Sequence, residues 1–535
     1  IWAQETVKDT VFLIPFADTV LLDEVVVKAH KTIPMNNRWS DLQPVDLVTV
    51  AGANGNLYKA LETLPGTQIQ GESGRLLVRG GSSDETQTYI DGMHVLNPYT
   101  STAENIPARG RYSPFMFSGI NLSTGGHSQE YGEALSAVLP LETKDNSRIN
   151  KVGISPSTVG IGGGGNHAFR NASLALNLDY QNLALYNKVY PGRIDFKKPY
   201  QMFSGATQFR YTPSGSSVFK IYVGYDRTDY SNYTDNNRYL FCLGENNVYL
   251  NSTFRTAISG GWEWFSGMAY SLFDRKVDGA VTEGDHWCEK QAELHFKTKL
   301  SKKFHPTFRM DVGFESFLRW YETRYSQVSV ADTKEISPTI EAVFGTVSYY
   351  PVENLKAELS FRTEYASLAR KINFSPRLSF SYSWCDLVLS ATAGRYTQLP
   401  NAKYLAQQPS LLSEACRQYN VGGLYKAAGR FYKAEFYYKK YDRLVLYTPA
   451  GLTSGGYGSS KGVDLYFEDR SLMRNLECNL SYSFNLSQRK YLEYTELTTP
   501  QYATRHNASL VLKYSLTKLR TIVALTERFA SGRPY

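Results

Sequence analysis

"LKAELSFRTEY", residues 355–365, alternates with a period of two. Leu355, Ala357, Leu359, Phe361, Thr363 and Tyr365 fall on one face of an extended chain; Lys356, Glu358, Ser360, Arg362 and Glu364 fall on the other. Successive side chains of a strand point to opposite sides, so this is a strand with one apolar and one charged face. "LECNLSYSFNL" (476–486) repeats the pattern, with Leu476, Cys478, Leu480, Tyr482, Phe484 and Leu486 opposing Glu477, Asn479, Ser481, Ser483 and Asn485. Similar runs occupy 172–186, 217–229, 306–321, 372–383, 431–447, 461–468 and 507–515.

Turn signals separate these runs: "YTPSGSS" (211–217), "SKKFHP" (301–306), "YYPVEN" (349–354) and "SWCD" (383–386). Longer polar segments at 225–247 and 488–503 read as large loops. Short turns alternating with long loops are the arrangement of an outer-membrane barrel. A soluble sandwich also alternates, but in shorter strands with its polar face outside. Paired charges on one face and aromatics on the other suit a wet lumen and a lipid-facing wall.

Composition agrees. The 535 residues include 40 Tyr and 27 Phe, so aromatic side chains make up 14% of the chain and can supply interfacial girdles. No apolar run approaches the ~18 residues a spanning helix needs. The longest, "VFLIPFA" (11–17) and "VLLDEVVV" (20–27), are too short, whereas a barrel strand needs only about 10. The net charge of +8 is spread along the chain, not gathered into a basic patch, which argues against nucleic acid as a partner. The five cysteines (Cys242, Cys288, Cys385, Cys416, Cys478) are far apart, with no metal-binding spacing; they leave disulfide state and compartment open.

Catalytic patterns lack their context. "GSSKG" (458–462) matches G-x-S-x-G but leads into a strand, with no strand-to-helix elbow. "VGIGGGG" (159–165) is followed by neither Gly-Lys-Ser/Thr nor a helix. No paired-histidine helix exists, and neither a metal nor a cofactor is expected. The chain reads as a non-enzyme.

The first 150 residues are different: Gly-rich, shorter in period and mixed, as in a small α+β globule. "NLYKALETLPG" (56–66) reads as a short helix closed by Pro-Gly. "RGGSSDETQTYIDGMHVLNPYTS" (79–101) crowds glycines, acids and hydroxyls into a turn, then ends a short strand in Asp-Gly; it reads as a hairpin with an exposed connector. Gly66, Gly80, Gly81, Gly92 and Gly132 permit tight reversals. Arg79 is expected to pair either with a carboxylate of the barrel wall or, inside the globule, with Asp84, Glu85 or Asp91. Glu130 is a second candidate for contact with the wall.

Six landmarks follow in order: "LPGTQIQ" (64–70), "LLVRGG" (76–81), "YIDGM" (89–93), "RGRYSPFMF" (109–117), "STGGHSQEYG" (123–132) and "ALSAVLPLETKD" (134–145). In this order they resemble the plug domain of TonB-dependent outer-membrane transporters, in the form common in Bacteroidetes-type bacteria. The plug motif residues are Pro65, Gly66, Arg79, Gly80, Gly81, Asp91, Gly92, Gly125, Gly126, Glu130, Tyr131 and Gly132. "GRYTQLP", "YNVGGLY", "YYKKYDRLV", "SKGVDLYFE" and "ASGRPY" extend the resemblance through the alternating region.

That resemblance implies an all-β transmembrane barrel with an α+β plug in its lumen, in the outer membrane of a Gram-negative bacterium. It divides the chain into 1–40, a signal remnant and extension; 41–148, the plug; and 149–535, the barrel. "WAQ" near the start fits the tail of a secretory signal. "LLDEVVVKA" (21–29) resembles a TonB box. Val25, Val26 and Val27 favour the extended state that adds a strand to a partner's sheet, and Asp23 and Glu24 could meet basic partner residues; the alternative is a first plug strand. Family barrels have 22 strands, and "ASGRPY" normally lies several strands before the end. At about 20 residues per strand and loop, 18–19 strands are expected here, so that either the sheet is an incomplete fragment with open edges, the favoured expectation, or it closes with fewer strands or with another chain.

The implied function is active import driven by TonB and its inner-membrane energising complex. The cargo is left open among ferric siderophores, haem, cobalamin, oligosaccharides and peptides, and a surface lipoprotein partner is left open too. Ligand-contact candidates are Asn97, Pro98, Tyr99 and Thr100 with Arg109, Arg111 and Tyr112; the alternative is that they fill the plug–wall interface. A non-transporting structural barrel is the rival reading.

Overall fold

A computed structural model describes residues 38–42, 44–68, 73–101, 107–144, 150–157, 159–190, 195–233, 239–327, 330–519 and 521–534. Residues 23–27 lie outside that set. The described chain forms a β-barrel around a small α+β domain.

The barrel strands run antiparallel from Lys151–Ser157 round to Thr521–Ala530, each beside its neighbour in sequence, and their order closes into a ring. This differs from the expected open sheet. Twenty strands take part, but Val330–Ile336 and Thr339–Val352 both pair with Phe308–Gln327 and lie end to end. They share one position, so the described residues make nineteen staves. The break falls at Pro338, which lacks the N–H a continuous strand would need.

Period two has its expected cause. In Leu355–Ala366, Leu359 and Phe361 are 62% and 42% exposed on the outside, while Arg362 and Glu364 are buried inside. Lipid takes the first set and the polar lumen takes the second. Turns at one end are short, such as Cys385–Asp386 and Ala428–Gly429. The opposite end carries the longer segments 399–413 and 491–505. Short turns face the periplasm and long loops the exterior, which orients the molecule.

Inside lies a five-stranded sheet built from β1 (Arg38–Leu42), β4 (Thr86–Ile90), β5 (Met93–Val95), β6 (Phe117–Ser123) and β7 (Ala137–Thr143), in the order β1-β6-β7-β4-β5. A separate two-stranded ribbon joins β2 (Thr67–Gln68) to β3 (Leu77–Val78). Helices α1 (Pro44–Val48) and α2 (Leu57–Leu61) pack beside the sheet. The Asn56 side chain caps α2 by accepting the Tyr58 N–H. Leu57, Leu61, Val78, Ile90, Phe117, Ile120, Leu139 and Leu141 form the core.

The hairpin of β4 and β5 turns on Asp91 and Gly92, with φ of 51° and 84°. Both central residues at positive φ match the twist of the flanking strands. The connector before it is not the exposed loop expected: Arg79, Gly80, Gly81 and Glu85 are buried, and Asp84 alone among residues 79–85 is exposed. The wall covers it because Arg79 and Glu85 dock there.

Candidate functional site

The site is the interface between the inner domain and the barrel wall, where polar side chains dominate. Arg79 sits at positive φ (49°), on the chain reversal that ends β3, and is 1% exposed. Its Nη2 lies 2.7 Å from Glu435 and its Nε 2.8 Å from Asp464. Nη1 donates to Asn420 Oδ1 at 2.9 Å, and the guanidinium lies over the Tyr437 ring at 4.5 Å. Burial alone would disfavour the cation, but the two carboxylates hold its pKa above the ordinary arginine value. Asp84, Glu85 and Asp91 are not its partners.

The neighbouring glycines make room for this arrangement. A Cβ on Gly125 would stand 3.0 Å from Arg79 Nη1, and one on Gly66 would stand 3.0 Å from Asp464 Oδ2. The Gly66 N–H donates to Ser483 Oγ at 2.7 Å. The Gly80 carbonyl accepts from Arg489 Nη2 at 2.7 Å, and Gly81 closes on Ser136. Gly126 packs on Thr392 and Pro65 is buried beside Gly66.

Glu85, which the sequence reading placed only as a possible partner of Arg79, is bound from three sides. Arg489 pairs with it, Tyr441 donates at 3.0 Å, and Ser136 of its own domain donates at 2.6 Å. Burial would raise its pKa; Arg489 and Lys439 overcome that and bring it down to about 2. Four further wall contacts follow the same pattern. Asp91 accepts from the Thr143 N–H and Oγ1 and lies 3.2 Å from Lys220 Nζ. His94 Nδ1 lies 2.6 Å from Glu293. Glu130 pairs with Lys299, and Glu133 lies 2.7 Å from Arg319. Tyr131 stands edge-on to Tyr89 at 4.8 Å, with Lys297 Nζ 5.0 Å from its centroid. Gly92 and Gly132 offer carbonyls, to Lys297 and to Tyr89 Oη.

The proposed ligand-contact residues serve this interface or the inner domain itself. Arg111 is buried and pairs with both Asp226 and Glu245, while its Nε donates to the Asn97 carbonyl at 3.1 Å. Tyr112 packs among Tyr222 and Tyr249. Tyr99 is buried on Tyr58 and accepts the Leu76 N–H at 3.2 Å; Thr100 Oγ1 accepts the Arg109 N–H. Pro98 offers its carbonyl to the Arg111 N–H. Arg109 Nη2 donates to the Asn54 carbonyl at 2.7 Å, and burial lowers its pKa. Sequence reasoning missed His94 and Glu133, because a lone His in a short strand or a lone Glu in a bend carries no signal of a partner some 200 residues away.

The exterior loop 399–413 reaches this interface. Gln398 Nε2 donates to the Asp84 carbonyl at 2.6 Å, and the Leu399 N–H donates to Glu133 Oε1 at 3.1 Å. Leu399, Leu405 and Leu411 then pack on Phe317 and Ile340 across the lumen mouth.

A barrel wall closes around a domain that it holds by ion pairs, and family models decide what this architecture is. Residues 111–533 match the TonB dependent receptor-like β-barrel, and residues 48–138 match the TonB-dependent receptor plug domain. The chain belongs to the TonB-dependent receptor family. The receptor is therefore an outer-membrane protein of nutrient import, not an enzyme, and TonB and a nutrient are its implied partners. Solved structures with the same fold include a mutant ferric enterobactin receptor of Pseudomonas aeruginosa, at 12% identity and TM-score 0.70, covering 92% of this chain and 85% of that one. The outer membrane transporter YddB of Escherichia coli matches at 12% identity and TM-score 0.73, covering 92% and 86%. The copper transporter OprC matches at 12% identity and TM-score 0.68, covering 86% and 80%. No curated protein sequence matches significantly.

Proposed function

We propose that the receptor imports a scarce or bulky nutrient, of the class of ferric siderophores, haem, cobalamin, oligosaccharides or peptides, and that the plug–wall ion pairs are the bonds broken during import. The observation that supports this is the character of the interface: Arg79, Glu85, Arg111 and Glu133 each meet an opposite charge on the wall. Such contacts exchange for water when the plug shifts, whereas a continuous apolar interface would resist any opening. The loop 399–413 supplies a route from an exterior ligand to the plug through Asp84 and Glu133. Residues 21–29 are proposed as the TonB box, with Asp23, Glu24 and Val25–Val27 as the strand that TonB grips.

Uptake of each nutrient class by cells carrying the receptor, with and without a protonophore and with residues 21–29 deleted, tests this reading. Uptake should collapse under both treatments. Equal uptake with the proton gradient dissipated would overturn energised import. Equal retention of the intact and deleted chains by the periplasmic part of TonB would overturn the box alone.

A further inference from the structure

Two histidines meet where the β4–β5 hairpin of the plug touches the wall, and their hydrogen bonds require different charges. His94 lies in β5 and His295 in the strand His286–His305; both are buried. Their rings stand edge-on, with centroids 6.3 Å apart.

Both ring nitrogens of His94 face oxygen atoms. Nδ1 lies 2.6 Å from Glu293 Oε1, and Nε2 lies 2.9 Å from Gln87 Oε1. Arg319 Nε donates to the other oxygen of Glu293 at 2.6 Å, so that carboxylate accepts on both sides. The Gln87 amide is fixed in orientation, because its Nε2 donates to the Asp84 carbonyl at 2.8 Å and leaves Oε1 for the ring. An imidazole satisfies two acceptors at once only when each nitrogen carries a proton. His94 is therefore seated as the cation.

His295 is the reverse. Its Nδ1 accepts the main-chain N–H of His94 at 3.0 Å, so that nitrogen bears no proton. Its Nε2 lies 2.9 Å from Glu315 Oε1. Glu315 is also held by Arg362 at 2.6 Å and Lys297 at 3.4 Å. A carboxylate between two cations accepts, so His295 Nε2 donates and the ring is neutral. Phe317 stacks on His295 at 4.3 Å and meets His94 edge-on at 5.6 Å. Tyr89, edge-on at 5.4 Å, closes the other side of His94.

We propose that the two rings form a pH latch on the plug, closed with His94 protonated and His295 neutral. Alkali takes a proton from His94 and leaves a bare nitrogen against an oxygen. Acid adds a proton to His295 Nδ1 and sets it against the His94 N–H. Either change loosens the hairpin at its wall contact. Histidine changes charge between about pH 5 and 8, so the latch responds above the carboxylate range. It governs seating with or without cargo, and its test is separate from that of energised import.

The test uses the full chain in lipid with isotope-labelled histidine. Solid-state nitrogen NMR near pH 6 shows which ring nitrogens carry protons. His94→Asn should remove two protonated nitrogens from the spectrum, and His295→Asn one protonated and one bare. Asparagine keeps an amide near the place of Nδ1 and does not titrate. Protease cleavage of the plug is then compared, variant over wild type at each pH, which cancels the pH dependence of the protease. The His94→Asn ratio should be about tenfold near pH 6, the scale of a hydrogen bond to a charged group, and fall toward one by pH 9. The His295→Asn ratio should be lowest near pH 5, where the wild-type ring gains its proton. Heat-modifiable gel migration checks that each barrel is folded. Should a variant not fold, the wild type decides, through the coupling of the His94 amide nitrogen to a bare histidine nitrogen across their hydrogen bond. Ratios flat across pH, a single proton on the His94 ring near pH 6, or absence of that coupling overturns the latch.

Discussion

Gly132 of the plug lies flat against the guanidinium of Arg362 in the wall, with no room for a Cβ between them. Arg362 is held there by Glu315 and Glu364, each at 2.6 Å, and donates to the Gln129 carbonyl at 3.2 Å. A valine at position 132 pushes the guanidinium off its partners. Gly132→Val should weaken plug seating by about 3 kcal/mol, the scale of overpacking combined with a disturbed buried ion pair. The urea midpoint for protease cleavage of the plug measures it, with the barrel checked separately by heat-modifiable migration.

Arg79→Ala removes the guanidinium that bridges Glu435 and Asp464 in a buried site; Lys433 still lies 3.1 Å from Glu435, while Asp464 loses the cation at its Oδ2. Breaking a buried pair from one side costs about 3–5 kcal/mol. The triple variant Arg79→Ala, Glu435→Gln, Asp464→Asn should recover most of that loss. Plug protease sensitivity, compared between single and triple variants, distinguishes stranded charge from lost packing; no recovery in the triple variant refutes the electrostatic account.

The Glu85 contact makes seating acid-sensitive. Its folded pKa of about 2 lies below the value of the free chain, so its contribution is fully present above the ordinary carboxylate range. That contribution falls as pH drops through the window between about 4.5 and 2 and is gone below the folded pKa. Plug protection measured between pH 7 and pH 2 should decline across this window. Glu85→Gln should flatten that part of the profile.

Leu405, 1% exposed, anchors the exterior loop across the lumen mouth. Leu405→Ala should cost about 2–5 kcal/mol of local stability and open the loop without unfolding the barrel. Faster proteolytic cleavage within 399–413, with unchanged heat-modifiable migration, is the expected result.

The barrel was legible because lipid and lumen impose opposite demands on alternate residues, and "LKAELSFRTEY" carries both in eleven positions. The plug was legible because its turns need glycine at fixed places, as at Gly92 and Gly66. Partner identity was not. Arg79 could be seen to need a counter-charge, but Asp464 lies 385 positions further along the chain and only closure of the ring brings it near. Tyr99 and Arg111 looked like ligand contacts because exposed aromatic and basic residues near a lumen often are. Their burial follows from Tyr58 behind one and Asp226 and Glu245 beside the other. The strand break at Pro338 was also missed, since proline in an alternating run does not by itself say whether a strand ends or resumes.

The sockets for the plug's arginines are divided between distant arcs of the wall. Arg111 docks on strands formed by residues 217–258, whereas Arg79 docks on strands formed by 430–469. Neither arc supplies both sockets, so full seating requires staves from early and late in the chain to have met. Contacts of such long sequence separation form slowly. Seating becomes the final event of maturation, and a half-assembled cylinder stays open.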